Sequence, residues 1–390
     1  MGELDGPRGP AIGGRDMAGA PRSTAAFDEL LAALAEARDA YALSDERSLS
    51  ELEIVEAYRY ILHMVSESID LIVDADPERP RFTCMVSPSR KYLGDNPDSI
   101  YYQAHIRDDR AYRIKGRKDS QTYVSFTVHG ADPAGGINGP ILADINDDDF
   151  ELGPDGSFEL ILSPDNRPGT SVALKPGARY IFVRNYFLRE HSAQNDPDVH
   201  IYLEIEPLDD PGPAPALDDA TMATRLRDAA ALLHATTIGL RVFGQPATVP
   251  FVSNEPNTVG TPWCFRNADI DAAGAVDIYY SSGNFELEPG QALVMEGTLP
   301  PSRFTNVMLW NVHMQTLEYR SHQTSLNNEQ MLTDENGHYR IVISETDPGV
   351  PNWIDTCGQR RGTIFWRFLL PEEQPETPRC KVMSVAELSG

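Results

Sequence analysis

Apolar residues recur every three or four positions in the first part of the chain, from Phe27 to Leu34 and again from Ile54 to Ile72. This spacing places the apolar side chains on one face of a helix. Pro77 and Pro80 end the second run, since proline cannot continue a helix. The pattern predicts a pair of amphipathic helices over residues 25–76, packed on a sheet.

After Pro80 the pattern changes to the alternation of apolar and polar residues that is typical of strands with one buried face. It is clear in QTYVSFTVHG at 121–130, and similar segments occur on both sides of a predicted helix at 218–242. Short strands separated by glycine and proline favour a sandwich over a parallel sheet. The predicted fold class is mainly β, an antiparallel β-sandwich of jelly-roll type with N-terminal helices and an inserted helix. No repeat period typical of a propeller or solenoid is visible.

Four prolines lie close together in EPLDDPGPAPALDD at 206–219, which is typical of a linker between domains. The predicted organisation is a flexible tail at 1–24, the helical pair at 25–76, a β-rich domain at 77–208, the Pro-rich linker at 209–217, and a helix plus jelly-roll-like domain at 218–390.

The charge of the chain narrows its expected partners. The 59 acidic and 33 basic residues give a net charge of −26. Such a surface repels phosphate backbones and anionic lipids, so neither nucleic acid nor a membrane is an expected partner. No apolar run approaches the ~18 residues of a membrane span. The four cysteines lie far apart and no glycine-rich phosphate loop is present, so neither disulfides nor a cofactor is predicted, and the cytoplasm is the expected compartment.

The segment GDNPDSIYYQAHI at 94–106 places polar side chains at the start of a predicted strand. Asn96 and Asp98 in such a position commonly accept hydrogen bonds from nearby backbone N–H groups, which starts a strand without any ligand. In the alternative, Tyr101 and His105 share one strand face that lines a cleft, and Asp98 and His105 act as a catalytic acid/base pair. The sequence leaves both interpretations open.

Arginines are interleaved with aromatic residues in this acidic chain. A guanidinium group binds carboxylate, sulfate or phosphate through parallel hydrogen bonds and stacks on rings. The alternative is that each arginine pairs with a surface acid. The predicted ligand is a small organic anion with an apolar or aromatic body. The candidate ligand-binding residues are Asn96, Tyr101, Arg184, Arg189, Arg320, Trp353, Arg360, Arg361 and Arg367.

Two further groups of residues suggest metal or thiol chemistry. Glu190, His191 and His200 lie in one short loop, but their spacing matches no compact motif. No metal site is therefore predicted, and these three residues are only weak candidates for metal ligands. Cys357 lies just before Arg360, where a cation can lower the pKa of a thiol; the alternative is a small buried apolar residue.

Two pieces of the sequence together resemble a known family. They are NPDSIY at 96–101 and the late Asn352-Trp353, within NWIDTCGQRRGTIFWRFLLPEE at 352–373. From about Leu52 to Val382 the chain resembles bacterial proteins that carry the domain of unknown function (DUF) 1214. The resemblance implies antiparallel β-sandwiches of jelly-roll type with added helices, and it implies no agreed activity.

Three functional hypotheses follow. The first is an enzyme that acts without nucleotide, as a lyase, hydrolase or isomerase, on a small organic anion through Asp98 and His105. The second is a ligand-binding module without catalysis. The third is a structural or assembly protein whose β faces and helices form homo-oligomer contacts.

Overall fold

The computed structural model describes residues 19–131, 139–165, 167–240, 243, 246–265 and 274–388. Residues 1–18 of the predicted tail lie outside these ranges. The helices of the described chain are α1 (Arg22–Ala37), α2 (Glu51–Ser68), α3 (Asp219–Thr236) and α4 (Val385–Leu388), with π-helical turns at Arg38–Ala42 and Ile69–Val73.

Side-chain caps explain where two of the helices begin. The Ser50 hydroxyl accepts from the Glu53 N–H, and the Glu53 carboxylate accepts from the Ser50 N–H, which forms a capping box at the start of α2. Asp218 caps α3 by accepting from the Thr221 N–H at 2.9 Å. No helix of the described chain is long and apolar enough to cross a bilayer.

The described strands form two groups of nine. The first group is β1 (Thr83–Cys84), β2 (Ser99–His105), β3 (Tyr112–Arg117), β4 (Tyr123–Gly130), β5 (Ile141–Asn146), β6 (Ser157–Ser163), β7 (Ser171–Ala173), β8 (Ala178–Tyr186) and β9 (Tyr202–Pro207). The second group is β10 (Trp263–Cys264), β11 (Ile278–Glu286), β12 (Gln291–Thr298), β13 (Ser302–Trp310), β14 (Ser325–Asn327), β15 (His338–Ser344), β16 (Trp353–Asp355), β17 (Arg361–Pro371) and β18 (Arg379–Ser384).

The two groups have the same topology. The first forms a sheet in the order β1-β2-β8-β4-β5 and a second sheet in the order β7-β6-β3-β9. Adding nine to each strand number gives the other two sheets, β10-β11-β17-β13-β14 and β16-β15-β12-β18. Within each group one pair is parallel, β6 with β7 and β15 with β16, and the other described pairs are antiparallel. The chain thus contains one nine-strand β-sandwich twice, which confirms the predicted fold class, while the predicted domain limits stay predictions.

Each sandwich has its own core between its two sheets. Leu160 and Ile181 are fully buried in the first core, and Leu309 and Trp366 are fully buried in the second. Burying one large apolar side chain contributes about 1.5–3 kcal/mol to stability. The two cores therefore stabilise the two halves of the chain separately.

The five-stranded sheets of the two sandwiches also pack against each other. Every residue of β4 is buried, because one face of this strand contacts the first core and the other contacts the second sandwich. The rings of Tyr186 and Phe304 meet edge to face at 5.1 Å across this interface. The Tyr123 hydroxyl also donates a hydrogen bond to Asp277 there.

The N-terminal helices and α3 pack together beside this interface. The Tyr60 hydroxyl of α2 donates to the Thr236 carbonyl of α3 at 2.5 Å. Tyr60, Met64 and Leu233 share an apolar cluster with Tyr101 of β2. The helices therefore cover part of the first five-stranded sheet, as the amphipathic pattern predicts.

The two cores predict a clear contrast between two leucines. Leu309 is fully buried, whereas Leu332 is 65% exposed. We expect Leu309→Ala to lower the free energy of unfolding by about 2–5 kcal/mol, because the lost methyl groups leave a cavity. Leu332→Ala makes the same chemical change on the surface and should alter stability by less than about 0.5 kcal/mol. Urea denaturation measures both values, and equal losses would contradict this assignment of the core.

Candidate functional site

A cavity of about 270 Å³ lies between the two five-stranded sheets. Residues of β2, β4 and β8 line one side, and residues of β11 and β17 line the other. The loop between β1 and β2 also lines the cavity, together with Leu240, Ala275 and Met314. Both sandwiches are therefore needed to form this site.

Each sandwich contributes the same pair of side chains to the cavity. Tyr101 on β2 lies opposite Arg184 on β8, and Tyr280 on β11 lies opposite Arg367 on β17. In the repeated topology β11 and β17 are the counterparts of β2 and β8. The cavity is thus lined by two equivalent tyrosine–arginine pairs.

Arg184 is buried, and no carboxylate of the described ranges forms an ion pair with it. Its Nη1 donates to the Thr127 hydroxyl at 2.6 Å, and its guanidinium carbon lies 4.5 Å from the centre of the Phe182 ring. Thr127 in turn donates to Asp144, so the Thr127 side chain lies between Arg184 and this carboxylate. Burial acts to lower the pKa of Arg184, but Tyr280, other tyrosines and Asp144 act to raise it, and the net shift is upward. Arg184 therefore stays a cation that forms no ion pair with a described carboxylate.

Arg367 is also buried, and it lines the cavity on the side of the second sandwich. Its Nη2 donates to the Gly94 carbonyl at 2.7 Å, and its guanidinium carbon lies 4.7 Å from the centre of the Phe365 ring. The nearby Asp95 carboxylate accepts instead from the Thr316 N–H at 2.8 Å and from the Thr316 hydroxyl at 2.5 Å. No described carboxylate forms an ion pair with Arg367. A buried cation without an ion pair is costly, and two of them in one cavity indicate a site for an anion.

The two positive charges act on the same hydroxyl groups. Burial raises the pKa of Tyr280 to about 12, while Arg184 and Arg367 both act to lower it. Burial also raises the pKa of Tyr186, and again both arginines oppose the shift. Both guanidinium groups therefore act on the hydroxyl groups of Tyr186 and Tyr280.

Two other lining residues have features of a ligand site. The Tyr92 hydroxyl is buried and has no hydrogen-bond partner among the described residues. His129 stacks on Tyr180 with ring centres 4.9 Å apart. Burial, followed by the charge of Arg184, lowers the pKa of His129 to about 4, so this ring is neutral at neutral pH. Together they offer a hydrogen-bond donor and a flat neutral ring beside the cations.

Asn96 and Asp98 belong to a buried network that joins the two sandwiches. Asn96 Oδ1 accepts from the Asp98 N–H at 3.0 Å, as the turn interpretation predicts. The Asp98 carboxylate accepts from Asn306 Nδ2 at 2.8 Å and from Asn327 Nδ2 at 3.0 Å, both in the second sandwich. Burial raises the pKa of Asp98 to about 6, although both asparagines and Arg367 act to lower it. These contacts give the motif a structural role between the sandwiches.

The structure does not assemble the predicted acid/base pair of Asp98 and His105. They are seven positions apart along extended chain, which is roughly 23 Å along a strand. His105 Nε2 instead lies 3.4 Å from Gln103 Nε2, and burial lowers the pKa of His105 to about 4. The expectation that these two side chains transfer protons together is corrected on this geometry.

The other arginines of the predicted anion pocket do not join Arg184 and Arg367. Each is paired with a carboxylate, so attraction to a nearby acid determines its position. The pairs are Arg189–Asp196 at 2.5 Å, Arg320–Glu318 at 2.6 Å, Arg360–Glu345 at 2.9 Å and Arg361–Glu53 at 2.7 Å. Arg189 and Arg320 line a separate polar cavity of about 610 Å³. The predicted set of arginines therefore divides between distant places.

The remaining candidates lie away from the cavity. Trp353 Nε1 donates to the Ser344 hydroxyl at 3.0 Å. Glu190, His191 and His200 do not belong to a group of three converging metal ligands within the described chain.

None of the four cysteines, all of which lie in the described ranges, forms a disulfide bond. Burial, followed by the charge of Asp355, raises the pKa of Cys357 to about 11, which is the opposite of the lowered value expected beside arginines.

Sequence reasoning missed Tyr92, His129, Tyr186 and Tyr280 at this site. Tyr280 is in a strand whose sequence, IYYSSGNFE, gives no sign of which tyrosine faces a ligand. The signal that identifies the site is a tyrosine opposite an arginine on neighbouring strands, which occurs at the same place in each sandwich. That pairing becomes visible only when the repeated topology is known.

Comparisons with known proteins give one family model and several solved structures, and the structure with the TM-score of 0.82 supports the fold. Residues 270–373 match the model of a family described as protein of unknown function (DUF1214). An uncharacterised protein from Burkholderia cenocepacia is 27% identical, with a TM-score of 0.82 over 94% of this chain and 98% of that one. The VPA0106 protein from Vibrio parahaemolyticus is 12% identical, with a TM-score of 0.47 over 84% of this chain and 98% of that one. The comparison with curated proteins gave no match.

The raised pKa of Asp98 predicts a pH dependence of stability. Its folded pKa of about 6 exceeds the model-compound value of 3.8, so the folded chain binds this proton more tightly. The tighter proton binding contributes about 3 kcal/mol to the free energy of unfolding. This contribution is complete below the unfolded pKa and is lost as the pH rises through the folded pKa. We expect the free energy of unfolding of Asp98→Asn, relative to the wild type, to rise by most of this amount, about 2 kcal/mol, between about pH 4 and about pH 7.

Urea denaturation across this range measures the difference. Asp155→Asn is the control, because Asp155 is exposed and hydrogen bonds to Ser157 lower its pKa, which places its titration below this window. A constant difference between Asp98→Asn and wild type would contradict the shifted pKa.

Proposed function

We propose a function from the cavity itself, because the family that residues 270–373 match is described only as a protein of unknown function. The protein binds a small organic anion with a flat apolar body between its two sandwiches. The observation that carries the proposal is the pair of buried guanidinium groups, Arg184 and Arg367, which face one tyrosine-lined cavity and form no ion pair with a carboxylate of the described residues. A bound carboxylate supplies the missing counter-charge.

The size and lining of the cavity limit the ligand. A cavity of about 150 Å³ holds one benzene molecule, so 270 Å³ accommodates about ten non-hydrogen atoms. Val86, Leu93 and Phe182 provide apolar surface for the body of such a molecule. The Tyr92 hydroxyl is a further donor for the acidic group. The ligand class is therefore small aromatic or unsaturated carboxylic acids.

The titratable groups of the cavity favour binding over catalysis. General acid/base catalysis works best with a pKa near the working pH. The pKa of His129 is lowered to about 4 by burial and then by Arg184, and burial raises that of Tyr280 to about 12. Neither group exchanges a proton readily at neutral pH. We therefore propose a ligand-binding module in place of the enzyme that uses Asp98 and His105.

Replacing either buried arginine with methionine tests the proposal. Methionine keeps the volume of the side chain and removes the charge. We expect at least one of Arg184→Met and Arg367→Met to bind benzoate about 10–100-fold more weakly, because the single carboxylate loses a charged hydrogen bond that contributes about 1.5–3 kcal/mol. Without ligand, both variants should be as stable as wild type or more so, since a buried unpaired cation has been removed. Thermal unfolding with and without benzoate measures both effects.

Arg360→Met is the matched control, because Arg360 is half exposed and pairs with Glu345. It should bind benzoate like the wild type. An equal loss of binding in Arg360→Met, or full binding in both buried-arginine variants, would contradict the proposed site.

The two equivalent arginines also predict a preference for two acidic groups. Fumarate and crotonate have the same carbon skeleton length, but crotonate carries a methyl group where fumarate has its second carboxylate. We expect fumarate to bind at least about tenfold more tightly, because only fumarate engages both guanidinium groups. In Arg367→Met this difference should disappear. Equal affinities in the wild type, measured by calorimetric titration, would contradict a site that uses both arginines.

A further inference from the structure

A second group of reactive side chains lies outside the cavity, in the second sandwich. The His322 imidazole, the Asp355 carboxylate and the Cys357 thiol have ligand atoms that all lie within 4.8 Å of one another. His322 Nδ1 is 2.7 Å from Asp355 Oδ2. We propose that these three side chains bind a divalent transition metal ion, with Zn²⁺ as the best match.

The backbone brings the three residues together from separate parts of the chain. Asp355 ends β16, and its N–H donates to the Gln323 carbonyl at 2.7 Å, which holds His322 beside it. The Cys357 N–H donates to Asp355 Oδ1 at 2.8 Å. Cys357 has a φ of 50°, in the left-handed region that non-glycine residues seldom adopt. The turn after β16 therefore presents the thiol next to the carboxylate.

The ligand types and their separations suit zinc. Zinc binds imidazole nitrogen, carboxylate oxygen and thiolate sulfur at about 2.0–2.3 Å with tetrahedral geometry, so its ligand atoms lie roughly 3.3–3.7 Å apart. Small rotations of these side chains reach that spacing, and the His322 side chain is 44% exposed. Calcium and magnesium are disfavoured, because they take oxygen ligands.

Three protein ligands leave a fourth coordination position for water or a small ligand. His322 also lines the polar cavity of about 610 Å³ that contains Arg189 and Arg320. The ion pairs of these arginines with Asp196 and Glu318 reduce their repulsion of a cation. The proposed site therefore borders, through His322, a cavity that is large enough to admit a ligand.

The same chain provides a control for the simpler interpretation, in which His322 and Asp355 form a plain surface pair. His338 Nδ1 lies 2.9 Å from Asp334 Oδ2, and both side chains are at least half exposed. No cysteine belongs to a converging group of ligands there among the described residues. If a histidine–carboxylate pair alone bound the metal, both places would bind it equally.

Titration of the reduced, chelator-treated full chain with Co²⁺ tests the proposal. Cobalt replaces zinc in such sites and gives a thiolate-to-metal charge-transfer band only when a cysteine sulfur is bound. We expect one Co²⁺ per chain, a charge-transfer band, and loss of the band when Zn²⁺ is added. Cys357→Ser should abolish the band, and His322→Ala should weaken Co²⁺ binding at least tenfold.

His338→Ala and Cys84→Ser should leave both the band and the affinity unchanged. Because His322 is exposed, His322→Ala tests metal binding without disturbing the core. The absence of a band in the wild type, its persistence in Cys357→Ser, or an equal effect of His338→Ala and His322→Ala would each overturn the proposed site.

Discussion

Two buried guanidinium groups are the constraint on which the account of this molecule depends. Arg184 and Arg367 sit between packed sheets, where removing a cation from water costs several kcal/mol unless an opposite charge is close. Their hydrogen bonds go to a hydroxyl and to a backbone carbonyl, and their faces contact aromatic rings. Rings and carbonyls reduce this cost but do not neutralise the charge. The fold therefore maintains a positive cavity whose natural complement is an anion.

The repeated sandwich explains how such a cavity arises. One nine-strand topology occurs twice, and the corresponding sheets pack face to face. Equivalent tyrosine–arginine pairs then meet from opposite sides, which a single sandwich cannot achieve. Ligand sites commonly lie at interfaces between domains. Asp98 accepts hydrogen bonds from Asn306 and Asn327 of the second sandwich and so connects the two sandwiches. The motif at the start of β2, which the sequence offered as a catalytic candidate, therefore supports the interface that contains the cavity.

The sequence predicted the local structure better than the long-range arrangement. Alternation and helical spacing were enough for the mainly β class, the N-terminal helices and the helix near residue 218. The repeated topology was missed, because two sandwiches of the same topology need only the same alternation of buried and exposed positions in their strands. Their sequences do not have to be similar. Tyr101, Arg184 and Arg367 were among the predicted ligand-binding residues. The partner of Arg361 was not predictable, since it pairs with Glu53 from the other end of the chain, whereas Arg320 pairs with Glu318 only two residues away.

Crystals grown with 4-bromobenzoate would test the central claim most directly, because the bromine gives an anomalous signal at the bound position. The account predicts one strong peak between the two five-stranded sheets, with the carboxylate in contact with Arg184 or Arg367. Peaks only in the polar cavity beside Arg189 and Arg320, or only on the surface, would contradict it. Such a result would mean that the buried guanidinium groups serve the packing of the two sandwiches and not a ligand.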